Sequence, residues 1–125
     1  MPYIYSSAES LVNHTKAGSG QCVALVQIYA GAPHGASENW KQGVKVRDNT
    51  DIAVGTAIAT FIDGRYPNLR TGNHAALYLS QDNRGVWVVD QNIPKYNGKI
   101  GKRYIRFKGG VGSASNDGDQ YYVIE

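Results

Sequence analysis

The sequence is poor in cysteine and in long apolar runs. It has 125 residues and one cysteine, Cys22, so an internal disulfide cannot form and the folded state must be held by its core. Eighteen apolar residues never follow one another, which argues against a membrane-spanning helix. The first residues contain neither a basic nor an apolar segment. We therefore expect no signal peptide, synthesis in the cytoplasm and no insertion into a membrane.

The sequence also has only a small excess of positive charge, and it lacks the common metal-binding motifs. The net charge is +3, and the basic residues are spread from Lys16 to Lys108 without a dense run. No recognition motif for DNA or RNA accompanies them, so we expect no nucleic-acid partner. The HExxH motif and the phosphate-binding loop are absent. Since His14 and His34 do not stand at ligand spacing with Cys22, we expect no metal and no cofactor.

What is present suits a compact chain with helices near its start. Hydrophobic residues make up 42% and charged residues 18%, which predicts one domain over residues 1–125. Residues 6–9 fit a capping box and predict a short first helix. Residues 21–30 are apolar on nearly every side and predict a buried helix that ends at Gly31. We interpret the turn-rich residues 31–51 as a covering loop.

Runs rich in β-favouring residues dominate the rest of the chain. They are residues 54–62, 72–80, 85–91, 102–108 and 120–124. Helices first and strands afterwards predict an α+β fold, with N-terminal helices packed on an antiparallel sheet of about five strands. The small polar residues of the segment 109–119 favour a mobile surface connection over packed structure.

Cys22 stands where a helix N-terminus is predicted, directly after a glycine-rich turn. Partial positive charge and free backbone N–H groups at such a terminus lower the pKa of a thiol and make it a stronger nucleophile. The N–H groups of Gln21 and Cys22 could also form an oxyanion hole for a tetrahedral intermediate. The alternative is that Cys22 is a small buried hydrophobe, as most lone cysteines are.

His74 and Asp90 are candidate partners for this thiol. An apolar strand gives no other reason for the imidazole of His74, although a histidine bonded to a backbone carbonyl is an alternative. A hairpin centred on Asp82 places His74 directly opposite Asp90, and a slip of one residue offers Gln91 instead. In a triad of this kind Cys22 attacks a carbonyl, His74 transfers the proton and Asp90 orients the imidazole.

The residues around Cys22 and His74 resemble the papain-like cell-wall hydrolases, namely the CHAP amidohydrolase/peptidases and the NlpC-type peptidases. The matching segments are 20–23 with its apolar helix, 72–79, and the strand that ends in Asp90. The resemblance implies a papain-like catalytic domain that hydrolyses an amide bond of peptidoglycan, either at the sugar lactyl group or within the stem and cross-link peptides. NlpC-type enzymes often have histidine as third residue, so Asp90 is closer to the CHAP pattern.

In its small size and its lack of a wall-binding module, the chain also resembles the amidase effectors of type VI secretion systems. This second resemblance implies action in the periplasm or cell wall of a target bacterium, with an immunity protein or a secretion-system carrier as partners. A phage lysin would share the same catalytic residues. So would a papain-like acyltransferase or an amidase with another substrate, and a non-catalytic binding or inhibitory module could keep the same fold.

The substrate side is predicted in the loop of residues 63–71, just before the strand of His74. Arg65, Tyr66 and Arg70 are candidates for contacts with a peptidoglycan stem peptide, since arginine binds carboxylates through paired hydrogen bonds. An exposed polar loop without a ligand explains each of these residues equally well.

Overall fold

A computed structural model of the chain describes residues 2–35, 37–67, 69 and 71–125. Its regular elements are one α-helix, α1 (Cys22–Ala30), and six strands, β1 (Gln42–Lys45), β2 (Ala57–Thr60), β3 (Ala75–Gln81), β4 (Gly85–Asp90), β5 (Gly101–Arg106) and β6 (Tyr121–Ile124), all within these residues. The strands form one sheet in the order β1-β6-β2-β3-β4-β5, and every neighbouring pair is antiparallel. The predicted α+β class with an antiparallel sheet is therefore confirmed.

The first predicted helix is shorter than expected. Residues Ala8–Leu11 form a 3₁₀ turn, and the Ser7 side chain makes no capping hydrogen bond. The chain then turns at Asn13, whose φ is +75°, and the Asn13 N–H donates to the Ile100 carbonyl. Backbone groups that pair with a distant segment in this way are lost to helix propagation. The prediction of more than one N-terminal α-helix is wrong, since α1 is the one α-helix among the described residues.

The sheet has six strands where about five were predicted. The additional strand is β1, which lies inside the predicted covering loop of residues 31–51 and pairs with β6. Three of its four residues are exposed, so it carries no apolar alternation. A half-buried strand is recognised in a sequence by that alternation. An edge strand without this alternation is recognised only from its pairing with a neighbouring strand in the structure.

Residues 109–113 lie at the surface, as predicted, whereas residues 117–119 are buried although the composition of the segment predicted no packed structure. Two 3₁₀ turns, Ala114–Asn116 and Gly118–Gln120, occupy the second half of the segment. The buried Asp117 carboxylate accepts hydrogen bonds from three backbone N–H groups at 2.6 to 2.9 Å. Asp119 accepts one more, at 2.8 Å. Because short acidic side chains bond readily to nearby backbone, two aspartates give this polar segment a defined shape.

The sheet separates two apolar clusters. On one face, Leu25 and Val26 of α1 pack with Leu77 and Val89 of the central strands, and all four side chains are fully buried. Alternate residues of the same strands point to the other face. There they form the second cluster with β5 and β6, which contains Ile58, Ala76, Tyr78, Val86, Val88, Ile105, Tyr121 and Val123. No helix in the described part of the chain is long and apolar enough to cross a membrane.

The residues that flank α1 define where it begins and ends. Gln21 has extended backbone angles and precedes the first helical residue, Cys22. At the other end, Gly31 adopts the left-handed conformation with φ of +81°, and its N–H donates to the Val26 carbonyl. This is a common helix C-terminus, and glycine adopts it without steric cost. The thiol therefore lies at the N-terminus of α1, as predicted.

Candidate active site

The site is an open cleft beside the first turn of α1. It has a volume of about 410 Å³, and Cys22, His74, Tyr66 and Arg103 are among the residues that line it. Leu69, Asn92, Ile93, Ser115 and Asn116 complete much of its wall. The cleft therefore joins residues from the beginning, the middle and the end of the chain. No cluster of three histidine, cysteine or acidic side chains suited to a metal ion occurs among the described residues.

His74 and Asp90 form a buried pair. His74 directly precedes β3 and Asp90 is the last residue of β4. The His74 Nε2 atom lies 2.8 Å from Asp90 Oδ2, and the two residues are 5% and 0% exposed. Since Nε2 is held by the carboxylate, Nδ1 is the ring nitrogen left for the thiol. The predicted contact between these two residues is present.

The predicted strand register is wrong, although the contact survives. Leu77 pairs with Val89, and continuing this register places Asp90 opposite Ala76 rather than opposite His74. The hairpin is not centred on Asp82, because Gln81 pairs with Val86 and the turn is therefore centred between Asn83 and Arg84. An extra residue of β3 between Tyr78 and Ser80 then shifts the register by one. A displacement of two residues leaves a side chain on the same face of a sheet. The imidazole thus reaches the carboxylate along the diagonal.

Asp90 has two further partners that were not predicted from the sequence. Its Oδ2 accepts a hydrogen bond from Arg103 Nε at 2.7 Å, and its Oδ1 accepts one from the Tyr96 hydroxyl at 2.7 Å. Burial raises the pKa of Asp90, but His74 and Arg103 outweigh it and hold the pKa below the ordinary value. The need of a buried carboxylate for a cation was a usable signal. It did not say which basic residue of the last strands would supply the charge.

The electrostatics of the cleft favour a thiolate next to an imidazolium. Burial raises the pKa of Cys22, but the hydrogen bond and the charge of His74 lower it below the ordinary value. Burial lowers the pKa of His74, but its bonds to Asp90 and Cys22 raise that pKa to about 9. Each charge therefore stabilises the other between the two pKa values. A thiolate is the nucleophilic form of cysteine.

Gln91, the alternative orienting residue, does not contact the imidazole. Its Oε1 accepts from the Ala17 N–H at 2.7 Å, and its Nε2 donates to the carbonyls of Ala17 and Gln21 at 3.1 and 2.7 Å. The side chain is fully buried. Gln91 thus fastens the turn before α1 to the end of β4, which fixes the position of Cys22.

Replacing Gln91 by methionine is expected to lower the free energy of unfolding by about 2–4 kcal/mol, because three hydrogen bonds are lost and the two backbone groups of Ala17 stay buried without them. Urea denaturation measures this loss. The matched control is Gln27→Met, since Gln27 makes one exposed hydrogen bond to the Pro33 carbonyl at 3.2 Å. We expect the control to change stability by less than about 0.5 kcal/mol. Equal midpoints for Gln91→Met and wild type would contradict the role of Gln91.

The predicted substrate residues have three different outcomes. Tyr66 lies in the cleft with its hydroxyl oxygen 3.8 Å from Cys22 Sγ, and it is fully buried, which excludes an exposed position on the predicted loop. Arg65 is exposed, and its backbone pairs with Ile62 outside the cleft lining. Arg70 lies outside the described residues. Leu69, which was not predicted, is 54% exposed at the cleft.

One of the two predicted oxyanion-hole donors, the Gln21 N–H, already makes a hydrogen bond within the chain. The Gln21 N–H donates to Ser19 Oγ at 3.3 Å. The Cys22 N–H makes no hydrogen bond to any part of the chain that the structure describes. A free N–H in the first turn is usual for a helix. It leaves Cys22 with one backbone donor next to its own thiol.

Comparison with known proteins confirms the resemblance to type VI amidase effectors. A family model described as domesticated amidase effector 2 matches residues 5–124. The type VI secretion amidase effector 2 protein of Salmonella typhi is 44% identical, with 100% of both chains covered. The domesticated amidase effector 2 of Ixodes scapularis is 36% identical over 84% of this chain and 70% of that protein.

The fold is shared with a solved structure as well. The structure named type 6 secretion amidase effector 2 superposes on this chain with a TM-score of 0.87 at 42% sequence identity, covering 98% of this chain and 94% of the other. The helix and the six-stranded antiparallel sheet thus match an experimentally known arrangement. Because the family model spans nearly the whole length and the relatives agree with it, the chain belongs to the domesticated amidase effector 2 family.

Proposed function

We propose that this chain is a peptidoglycan hydrolase that cleaves amide bonds of the stem or cross-link peptide, with Cys22, His74 and Asp90 as a catalytic triad. The observation that carries the proposal is a thiol at the first residue of a helix, in one cleft with an imidazole held 2.8 Å from a buried carboxylate. The relatives are described as amidase effectors, which supports hydrolysis of an amide.

The reaction proceeds in two halves. The Cys22 thiolate attacks the carbonyl carbon and forms a C–S bond, while the carbonyl electrons move to the oxygen. His74 then gives its Nδ1 proton to the amide nitrogen, the C–N bond breaks and the amine leaves. In the second half His74 takes a proton from water, and the hydroxide displaces sulfur as the thioester C–S bond breaks. Asp90 holds the imidazole and stabilises its charge throughout.

The order of these parts along the chain supports a single papain-like catalytic domain over residues 1–125. The nucleophile begins a helix, the base directly precedes β3, and the orienting carboxylate ends the adjacent strand β4. An aspartate as the third residue fits the CHAP pattern within this superfamily. Both apolar clusters are built on the same sheet, which supports a single domain.

The effector names of the relatives support a role in bacterial antagonism. The site of action is then the periplasm or cell wall of a target bacterium, where peptidoglycan is accessible. A toxin of this kind needs a carrier for export and an immunity protein in the cell that makes it. The chain would be made in the cytoplasm before delivery.

The direct test is mass spectrometry of soluble fragments released from purified peptidoglycan. The wild-type chain is expected to release defined muropeptides, and their masses distinguish cleavage at the sugar lactyl group from cleavage within the peptides. Release of the same fragments from several wall chemistries would support a bond common to all of them. If no wall preparation yields fragments, the peptidoglycan substrate is refuted and another acyl substrate becomes the better candidate.

The pH dependence separates an activated thiol from a buried, inert one. Because the pKa of Cys22 is lowered, iodoacetamide should alkylate it well below the ordinary thiol pKa of about 8.5. Because the pKa of His74 is raised to about 9, amide hydrolysis should fall above that pH as the acid that protonates the leaving amine is lost. Alkylation needs no such acid and should persist. Slow alkylation at every pH would instead indicate a non-catalytic module.

A further inference from the structure

Tyr66 is positioned directly at the thiol without a role in the triad. Its hydroxyl oxygen lies 3.8 Å from Cys22 Sγ, and the residue is fully buried. The ring packs against Trp40, with ring centroids 5.1 Å apart and planes tilted by 48°. The hydroxyl oxygen also accepts a hydrogen bond from Asn73 Nδ2 at 2.9 Å. Tyr66 is therefore held from two sides, and its oxygen faces the sulfur.

The bond from Asn73 determines what the Tyr66 hydroxyl has left to offer. A phenol has one proton to donate, and its oxygen here already accepts from the amide. The proton is left for the Cys22 sulfur, which is the other hydrogen-bond contact of this hydroxyl at 3.8 Å, and a substrate oxygen placed next to the sulfur can accept it instead. Asn73 Oδ1 has no hydrogen-bond partner among the described residues although it is buried.

The charge state of Tyr66 suits a donor. Burial, followed by the charge of the Cys22 thiolate, raises the pKa of Tyr66 well above its ordinary value. The hydroxyl therefore keeps its proton over the whole pH range in which Cys22 reacts. It acts by donating a hydrogen bond and not by transferring the proton.

We infer that the Tyr66 hydroxyl is the second donor of the oxyanion hole, together with the backbone N–H of Cys22. The Gln21 N–H, which would be the other backbone donor, already donates to Ser19 Oγ. When the thiolate attacks, the substrate oxygen comes to lie next to the sulfur. A hydroxyl 3.8 Å from Sγ then reaches the range of about 2.7–3.1 Å over which such donors stabilise the negative oxygen. The inference rests on the proposed amide hydrolysis.

The test compares Tyr66→Phe with wild type in two reactions of the same thiol. Release of muropeptides develops an oxyanion, whereas alkylation by iodoacetamide displaces iodide from a tetrahedral carbon and develops none. We expect Tyr66→Phe to lower kcat about 10²–10³-fold, with KM and the alkylation rate changed less than about threefold. The matched control is Tyr78→Phe, because Tyr78 is 3% exposed on the opposite face of the sheet and its hydroxyl accepts from Gln81.

Three outcomes would overturn the inference. Unchanged kcat in Tyr66→Phe reduces Tyr66 to a packing residue. A parallel fall in alkylation shows that Tyr66 acts on the thiolate and not on the oxyanion. Equal losses in Tyr66→Phe and Tyr78→Phe, with equal drops in unfolding midpoint, assign the effect to stability. If wild type itself releases no fragments, the proposed function fails and this inference fails with it. A fall in kcat that is confined to Tyr66→Phe supports both.

Discussion

Replacing Cys22 by alanine is expected to lower muropeptide release by about 10⁴-fold or more, because removing the nucleophile of a triad removes nearly all of its catalysis. The substitution should leave the fold in place. Cys22 is 9% exposed, and alanine occupies most of the same space in α1. Activity is measured as the rate at which soluble fragments appear from purified peptidoglycan, and folding by the midpoint of urea denaturation.

Cys22→Ser is the matched control for the loss of the thiol. Serine keeps a hydroxyl at the same position, but His74 does not ionise a hydroxyl as readily as a thiol, so this variant should also lose most of its activity. Retention of more than about a tenth of wild-type activity by the alanine variant would show that Cys22 is not the nucleophile. If Cys22→Ala is inactive because it is unfolded, the activity of Cys22→Ser is compared with that of wild type instead.

Asp90→Asn is expected to have the second largest effect, a fall in kcat of about 10²–10⁴-fold. Asparagine has almost the same shape but no charge, and its amide cannot accept from His74 and Arg103 as the carboxylate does. The pKa of His74 is raised by its bond to Asp90, so its value in the variant should move down from about 9. The high-pH limb of the rate profile should shift to lower pH accordingly.

Stability must be measured alongside this variant. Arg103 donates to Asp90 from a side chain that is 13% exposed, and breaking a buried ion pair on one side costs about 3–5 kcal/mol. Rates are therefore compared per folded molecule. Tyr96→Phe is the control, because it removes the bond at Oδ1 and leaves the carboxylate charge and the His74 contact in place. A variant Asp90→Asn that is as active as Tyr96→Phe would contradict the orienting role of Asp90.

Much of the fold followed from local patterns. The helix of residues 22–30 and the five predicted strands were all found near their predicted positions, because each carries a run of apolar or β-favouring residues. The exceptions have little local signal. β1 is exposed on most of its residues, and the first helix was reduced to a 3₁₀ turn when its backbone paired with Ile100.

The candidate site was predicted in its residue types but not in its connections. Cys22, His74 and Asp90 are candidates in the sequence because Cys22 stands at a predicted helix N-terminus, His74 in an apolar strand, and Asp90 at the end of a buried strand. Their mutual distances depended on a hairpin register, and the predicted register was wrong because the turn is centred between Asn83 and Arg84 and not on Asp82. The period of two in a strand kept the side chains on the correct face.

The sequence by itself therefore determined the class of fold, the position of the helix and the chemical identity of the thiol, the imidazole and the carboxylate. These depend on the composition and periodicity of short segments. The tertiary structure alone decided that Arg103 and Tyr96 hold Asp90, that Gln91 anchors the turn before α1, and that Tyr66 lies next to the sulfur. Such contacts join residues far apart in the chain, and no local pattern records which distant segments will meet.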